Sequence, residues 1–423
     1  MTNDLTGWWP AYKGYNQLYI GYSGGLDSTV LLHILASQPD LLSKITAVHI
    51  NHGISKNALS WQLHCEQFCR EHNISFIARQ VEFIRDANIE ERAREARYQV
   101  FQSLLTEDDC LLLAHHRDDQ AETLLLHLFR GAGISGLAAM PAIKALEKGI
   151  LARPLLNFSR QQLEQYAVLH QLQWIDDESN LSSDFSRNFI RNQLMPLIQT
   201  RWPNVQATIA RTANHCQQGQ DLLEQLAVLD CLEITGTELP LKYLNNLDWQ
   251  RANNVLRVWL KSNKVRLPDT VTFNRIYPEV IHAKAGSVSE IAWLDNRIKR
   301  HQQKLYLLKE KLVNNSQLEW NDFPNPLPLP YGSLTAIKSE QGIKITPDSK
   351  IIIRFRSGGE HMRWHGQTKA VKKLLQEWQI PHWQRNQIPF LYINDKLAAI
   401  TGYAISDDFY AESGSDVYSI DNG

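Results

Sequence analysis

Ser23-Gly24-Gly25-Leu26-Asp27-Ser28 lies between an apolar stretch at 18–22 and a helical pattern from about residue 28. Two adjacent glycines let a backbone turn sharply and approach an anion closely. A helix that starts directly after such a loop offers unpaired N–H groups and the positive end of its dipole. The loop is therefore expected to hold phosphate. It has no lysine, so it is not a GxxxxGK[ST] loop. Asp27 sits where a helper cation would be expected. A carboxylate repels phosphate unless a cation lies between them, which points to Mg²⁺. The residues leave one alternative open: a plain glycine turn with Asp27 and Ser28 as helix caps.

A second group follows in Leu113-Ala114-His115-His116-Arg117-Asp118-Asp119-Gln120-Ala121-Glu122-Thr123. Asp118, Asp119 and Glu122 fall within about one helical turn, where offsets of three and four share a face. Asp119 and Glu122 also read as a capping box, with Asp119 as N-cap. His115, His116 and Asp119 would make an incomplete zinc set. Arg94 and Arg97 lie in a charged helix at 90–97 whose i,i+4 pairs suit a solvated face; either arginine can also grip a carboxylate through its fork. At the end of the second strand pattern, His52 is expected near a nucleotide and His49 in the core.

These groups need a scaffold, and the flanking pattern supplies one. Strand-like runs at 18–22, 45–50, 75–81 and 110–114 alternate with helical runs at 29–36, 58–72, 89–105 and 121–130. Such alternation implies an α/β fold on an open parallel sheet, with ligands outside the carboxyl ends of the strands. That rule points just past Tyr22, Ile50, Val81 and Ala114. From residue 159 the pattern turns helical, and 214–311 is expected to stay mostly so. Residues 321–330 alternate proline with other residues and read as an extended linker. Beyond it, strand-like runs flank a helix at 370–378, as in a small α+β domain. The expected division is 1–213, 214–320 and 321–423, with the proline-rich linker at 321–332.

The chain has 423 residues, 43% hydrophobic and 21% charged, enough for several cores without disulfide or metal staples. Forty-four Lys+Arg against 45 Asp+Glu leave a net charge of −1, which excludes a uniformly basic coat but not local basic strips. No apolar run approaches the roughly 18 residues of a membrane span. The start of the chain has no secretory pattern, so a cytoplasmic protein with five reduced thiols is expected.

The Ser23–Ser28 string matches the SGGxDS signature of the pyrophosphate-loop (PP-loop) ATPases. That resemblance implies a Rossmann-like catalytic domain, as in the adenine nucleotide alpha hydrolases, that uses ATP with Mg²⁺ to adenylate a carbonyl oxygen. Further stretches narrow it: Val48-His49-Ile50-Asn51-His52-Gly53, Arg94-Glu95-Ala96-Arg97-Tyr98, the 113–123 string, Arg130-Gly131-Ala132-Gly133, Arg187-Asn188-Phe189-Ile190-Arg191, Arg356-Ser357-Gly358-Gly359-Glu360 and Lys372-Lys373-Leu374-Leu375. Together they resemble the tRNA(Ile)-lysidine synthase family over nearly the whole chain. The resemblance implies joining L-lysine to C2 of the first anticodon cytidine of an isoleucine tRNA bearing CAU, through an adenylated intermediate. It also implies nucleotide contacts at Ser23, Gly24, Gly25, Leu26, Asp27, Ser28, His52 and Gly131. Asp27, Asp118, Asp119 and Arg191 are the expected catalytic set. Asp119, Glu122, Arg97 and Arg94 are the expected lysine pocket, since free lysine carries two amines and one carboxylate.

RNA contacts are expected along basic strips. Residues 185–215 hold Arg187, Arg191, Arg201 and Arg211 without an acid; 297–311 hold six bases against one acid; 354–385 include Arg356, Lys372, Lys373 and Arg385. Trp364, Trp378 and Trp383 are candidates for base stacking. Acids at 407–421 read as a solvated tail. The main alternative is a PP-loop tRNA 2-thiolation enzyme. It needs a persulfide cysteine or a cysteine-bound cluster, and the scattered Cys65, Cys69, Cys110, Cys216 and Cys231 form no CxxC. The oligomeric state is open, a homodimer among the options.

Overall fold

The computed structural model describes residues 5–53, 57–81, 89–176, 186–284, 289–309, 317–329, 332–414 and 416–422. The chain divides into two units, 1–226 and 227–423. Among the described residues no helix is long and apolar enough to cross a membrane.

The first unit runs β1 (Leu18–Gly21), α1 (Leu26–Ala36), α2 (Pro39–Leu42), β2 (Ile45–Asn51), α3 (Ala58–Glu71), β3 (Ser75–Gln80), α4 (Ile89–Leu104), β4 (Cys110–Leu112), α5 (Arg117–Phe129), α6 (Ile134–Leu137), β5 (Ile143–Ala145), β6 (Ile150–Ala152) and α7 (Arg160–Leu169). Then come α8 (Ser186–Phe189), a π-helical segment (Ile190–Leu194), α9 (Met195–Arg201) and α10 (Val205–Asp230). The sheet order is β3-β2-β1-β4-β6-β5. All neighbours are parallel except β5 and β6. The four expected strands are present. β6 extends the parallel sheet, and its three residues are too short to read as a strand from sequence.

Alternation of side chains across the sheet makes two cores. Leu18, Ile20, Ala47, Cys110 and Leu112 face one side with Val30, Leu31 and Ile34 of α1. Val48, Leu111 and Leu151 face the other with Phe101 and Leu105. The sheet is thus covered on both faces, as its near-continuous apolar strands require. Two helices start earlier than the sequence suggests. α1 begins at Leu26 because Gly25 is extended (φ −74°, ψ 165°) and serves as its N-cap. α5 begins at Arg117 because His116 caps it. Residues 213 and 214, the expected domain boundary, lie inside the continuous helix α10.

The second unit opens with β7 (Glu238–Pro240), α11 (Leu241–Leu244), α12 (Trp249–Ser262) and α13 (Thr270–Ile276), then β8 (Glu290–Trp293), β9 (Asn296–His301) and β10 (Lys304–Lys309). Helix therefore gives way to an antiparallel sheet, β7-β10-β9-β8, where the sequence suggested more helix. The buried set Ile291, Trp293, Ile298, Leu305 and Leu307 alternates at period two, but charged neighbours hide the pattern.

Next come β11 (Leu318–Glu319), β12 (Leu327–Leu329), β13 (Gly332–Lys344), β14 (Ile351–Arg354), β15 (His361–Trp364), β16 (Gln367–Ala370), α14 (Val371–Glu377), α15 (His382–Arg385), β17 (Phe390–Ile393), β18 (Lys396–Ile400), β19 (Ala404–Ile405), β20 (Tyr410–Ala411) and β21 (Val417–Asn422). The proline-rich stretch is not a free tether. Leu327–Leu329 pairs with β13, and the Phe323 ring packs 5.1 Å from Trp320 and 4.7 Å from Tyr418. Residues 330 and 331 of that stretch lie outside the described residues. The acidic C-terminal stretch is likewise not all solvated tail, because β21 pairs with β13, Asp421 opposite Thr335.

Candidate active site

The glycine loop closes on itself. Ser23 and Ser28 hydroxyls lie 3.1 Å apart, Ser28 Oγ donates to the Gly25 carbonyl at 3.0 Å, and Ser28 Oγ accepts from the Ser23 N–H at 3.3 Å. The Ile175 N–H donates to the Gly24 carbonyl at 2.9 Å. Gly24 has φ +83°, a conformation that glycine adopts without steric cost. Gly25 brings no side chain to cap α1. The first N–H groups of that helix therefore have no intrahelical acceptor. Such a helix start has the donors that an anion takes.

A cleft of about 830 Å³ opens over the loop. Ser23, Gly25, Leu26, Asp27, Ser28, His52, Arg97, His115, Asp119, Arg160, Arg187 and Arg191 line it. They come from the ends of β1, β2 and β4, from the segments after β4 and β6, and from α4 and the 187–191 stretch, so the strand-end rule holds past Tyr22, Ile50 and Ala114, while the place past Val81 lies outside the described residues. One Asp27 oxygen, Oδ2, lies 3.5 Å from His116 Nε2 and 3.7 Å from Arg160 Nη1. The other, Oδ1, is buried and has no hydrogen-bond partner among the described residues.

His116 joins the loop to the acids. Its Nδ1 accepts from the Asp118 N–H at 3.2 Å, and the Asp119 carboxylate accepts from the His116 N–H at 3.0 Å. The capping box of α5 is real but sits three residues earlier than the sequence suggested, with His116 as N-cap and Asp119 at N3. In the neutral ring the proton is on Nε2, facing Asp27 and Asp119. Burial opposes charge on His116, but Asp27, Asp119 and Asp118 together raise its pKa.

Asp119 and Glu122, three residues apart on α5, are both buried and face two arginines. Arg187 donates from Nε to Glu122 Oε2 at 2.7 Å and from Nη2 to Asp119 Oδ1 at 3.0 Å. Arg191 donates from Nε to Glu122 Oε1 at 2.6 Å and from Nη2 to Glu122 Oε2 at 2.9 Å and Asp119 Oδ1 at 3.3 Å. Arg187 and Arg191 are four apart and so share a face. Their segment is seated by Ile190 and Met195 against Ala121 and Leu125 of α5. Burial pushes the Asp119 carboxyl up, but the charges of His116 and Arg187 outweigh it and hold it at about 2. Asp118 takes the opposite course: burial raises it.

The other cleft groups are kept neutral or crowded. Burial and the Arg97 charge bring His52 down to about 4. His115, half-buried and accepting from Arg153 Nε at 3.2 Å, is brought down by desolvation to about 3. Burial lowers Arg97, with Arg94 and Arg187 nearby, and its Nε has no hydrogen-bond partner. His49 is a satisfied core histidine, its Nδ1 3.0 Å from the Tyr22 carbonyl.

Three family matches cover the chain: a PP-loop domain at residues 4–198, a TilS substrate binding domain at 239–306 and a TilS substrate C-terminal domain at 351–421. A tRNA(Ile)-lysidine synthase of Legionella pneumophila (strain Paris) is 50% identical over 98% of this chain and 97% of its own length. The chain belongs to the tRNA(Ile)-lysidine synthase family. Further members that it resembles are the synthases of Coxiella burnetii, 42% identical over 93% of this chain and 90% of theirs, and Proteus mirabilis, 36% identical over 91% and 90%.

In this lysidine synthase family chain the expected site residues separate into groups. The loop residues other than Gly24, with His52, Asp119, Arg97, Arg187 and Arg191, meet in the cleft, and Glu122 lies directly behind. Gly131 does not line it. It has φ +70° past the end of α5, where its N–H donates to the Leu128 carbonyl at 3.0 Å, a helix stop. Arg94 is exposed and lies 5.3 Å over the Tyr98 ring. Asp118 does not line the cleft either; its Oδ2 accepts from the Arg160 N–H at 3.4 Å. Sequence reasoning missed Arg160, His116 as a bridge, and Arg153. Ser159, which caps α7, was the available signal for Arg160.

No group of three His, Cys, Asp or Glu among the described residues has metal-holding geometry, which removes the His115–His116–Asp119 zinc reading. Burial pushes Cys65, Cys69 and Cys110 up to about 12, far from a reactive thiolate. Of the expected RNA strips, Arg201, Lys372 and Lys373 are exposed. Arg187 and Arg191 spend their donors on carboxylates. In the second unit, Arg385 donates to the Ile380 carbonyl at 2.7 Å and has Arg356 as a charged neighbour. Lys299 and Lys304 pair with Glu290 and Glu238 at 2.5 and 2.7 Å, while Lys311 lies outside the described residues. The three tryptophans pack within the protein: Trp364 against Trp378, Trp378 stacked on Tyr403, and Trp383 against His301 and Tyr306.

Proposed function

We propose that this chain is an ATP-dependent ligase that joins L-lysine to C2 of the wobble cytidine of an isoleucine tRNA bearing CAU, forming lysidine and releasing AMP and diphosphate. One observation carries the reading. An uncapped glycine-loop helix start and a buried Asp119–Glu122 pair meet at a single cleft, in a chain half identical to named lysidine synthases. The activity takes place where ATP and tRNA are found together, in the cytoplasm.

The loop N–H groups of α1 hold the ATP phosphates, and Arg160 reaches the same space beside Asp27. Asp27 fits a magnesium ion, because Oδ1 has no other partner and such ions take one or two carboxylates plus phosphate oxygens. When bound, the ion neutralises charge on the phosphates. In the first step the C2 oxygen of cytidine attacks the α-phosphorus and diphosphate leaves. In the second, the lysine ε-amine attacks C2 and AMP leaves with the former C2 oxygen. The amine must first lose a proton. Asp119, His52 and His115 line the cleft as the groups that could receive it. Asp119 and Glu122 attract the lysine ammonium groups, and Arg97 attracts its carboxylate. Arg201, Arg356, Lys372, Lys373 and Arg385 contact RNA. The catalytic and lysine-binding roles fall to the PP-loop domain, and the RNA contacts at Arg356, Lys372, Lys373 and Arg385 to the C-terminal domain.

The test is incubation with ATP, labelled lysine and a CAU isoleucine tRNA, followed by nucleoside analysis. Lysine-bearing cytidine is expected. A thiolated base in its place would overturn the ligase reading.

A further inference from the structure

The carboxylates proposed to receive lysine are already paired: among the described residues each accepts three hydrogen bonds. Glu122 Oε1 is held by Arg191, Oε2 by Arg187 and Arg191, and Asp119 Oδ1 by both arginines. The remaining oxygen, Asp119 Oδ2, accepts from the His116 N–H. Two negative charges face two positive ones, so the buried cluster is already balanced. Free lysine brings a net positive charge. A third cation in this balanced, buried cluster is unfavourable, so a lysine ammonium pairs with these carboxylates by displacing a guanidinium, and buried carboxylates that lose their cations are strongly destabilised. The exchange must therefore be one cation for another, with the departing guanidinium moving to a new anion.

Arg187 and Arg191 both line the cleft above the glycine loop, and each is 29% exposed in its side chain. They flank Ile190, the first residue of a π-helical segment, a geometry often found where helices rearrange for function. Guanidinium forks bind phosphate as readily as carboxylate. We infer that Arg187 and Arg191 form a latch: without phosphate they occupy the lysine-recognising carboxylates, and phosphate in the cleft draws them away and opens the lysine site. The inference rests on the proposed lysine role of Asp119 and Glu122. The phosphate comes from ATP or from the RNA backbone. Either source makes lysine bind after the ligand that carries the phosphate, and linkage requires that lysine in turn tighten that ligand by the same factor.

Equilibrium dialysis of labelled lysine against the full chain tests this in four states: alone, with an ATP analogue blocked between the α and β phosphates, with CAU isoleucine tRNA, and with both. Lysine affinity is expected to rise roughly 10-fold or more when the effective phosphate source is present. The ATP and RNA arms identify that source. Arg191→Gln should bind lysine more tightly in the unliganded state and respond less to phosphate. Equal wild-type affinity in all four states overturns the latch. Glu122→Gln with undiminished lysine affinity in the fully liganded state, or no lysine binding in any state, overturns the reading of the lysine site itself.

Discussion

Gly24 stands against Cys65 so closely that a Cβ on Gly24 would lie 2.8 Å from the Cys65 sulfur, and 2.7 Å from Ile175 Cδ1. The phosphate loop is thus pressed onto the first helical layer of the sheet, and glycine is needed at residue 24 for space as well as for φ.

Gly24→Ala should destabilise the protein by about 1–3 kcal/mol, combining overpacking with the unfavourable φ, and should raise the KM for ATP. Adding Cys65→Ala relieves one of the two contacts but neither the one with Ile175 nor the backbone strain, so only part of the stability should return. Thermal unfolding and ATP kinetics on the single and double variants check this. A neutral Gly24→Ala would remove the close-packed loop from the account.

Asp27→Asn keeps the volume of the side chain and removes its charge. Diphosphate release should fall at least about 100-fold, the scale of losing one charge-stabilising group. RNA binding should be nearly unchanged, because no proposed RNA contact includes Asp27. Retained adenylation at the wild-type rate would show that Asp27 does not serve the phosphate–metal site.

Acid should weaken the site through Asp119. Its folded value of about 2 lies below its ordinary 3.8, so its stabilisation is complete above 3.8 and is lost as pH falls through about 2. Asp118, raised by burial, works against this, because its penalty eases as it takes up a proton. Urea unfolding of wild type and Asp119→Asn should therefore differ by about 2 kcal/mol less near pH 2 than near pH 5. A difference independent of pH would mean that Asp119 is not held ionised by His116 and Arg187.

The sheet and the loop were legible because each rests on local pattern. Apolar strands covered on both faces read as continuous runs, and Gly24–Gly25 followed by a helix reads as an anion site. The Asp119–Glu122 pair was legible from its spacing on one helix face. Its partners were not, since Arg187 and Arg191 lie more than 60 residues away and reach it only through the packing of Ile190 on Ala121. A basic stretch without acids looked like a phosphate track because its acids come from another helix. β8 to β10 were misread for a related reason: Lys299, Arg300 and Lys304 satisfy partners elsewhere and mask the alternation of Ile298, Leu305 and Leu307.

Lys372 and Lys373 offer the cleanest separation of RNA affinity from chemistry. Both are exposed in the first turn of α14, whose buried side holds Val371, Leu374 and Leu375. Replacing both with Ala should leave the fold intact, because exposed substitutions away from packed or paired groups change stability little. If each neutralises an RNA phosphate, the double variant should bind tRNA more weakly and its salt dependence should flatten by about one unit of log–log slope per lysine. ATP affinity should not move. Binding titrations at several salt concentrations decide the matter. An unchanged slope with weakened binding would assign the lysines a shape-fitting role, and an unchanged affinity would place the RNA away from α14.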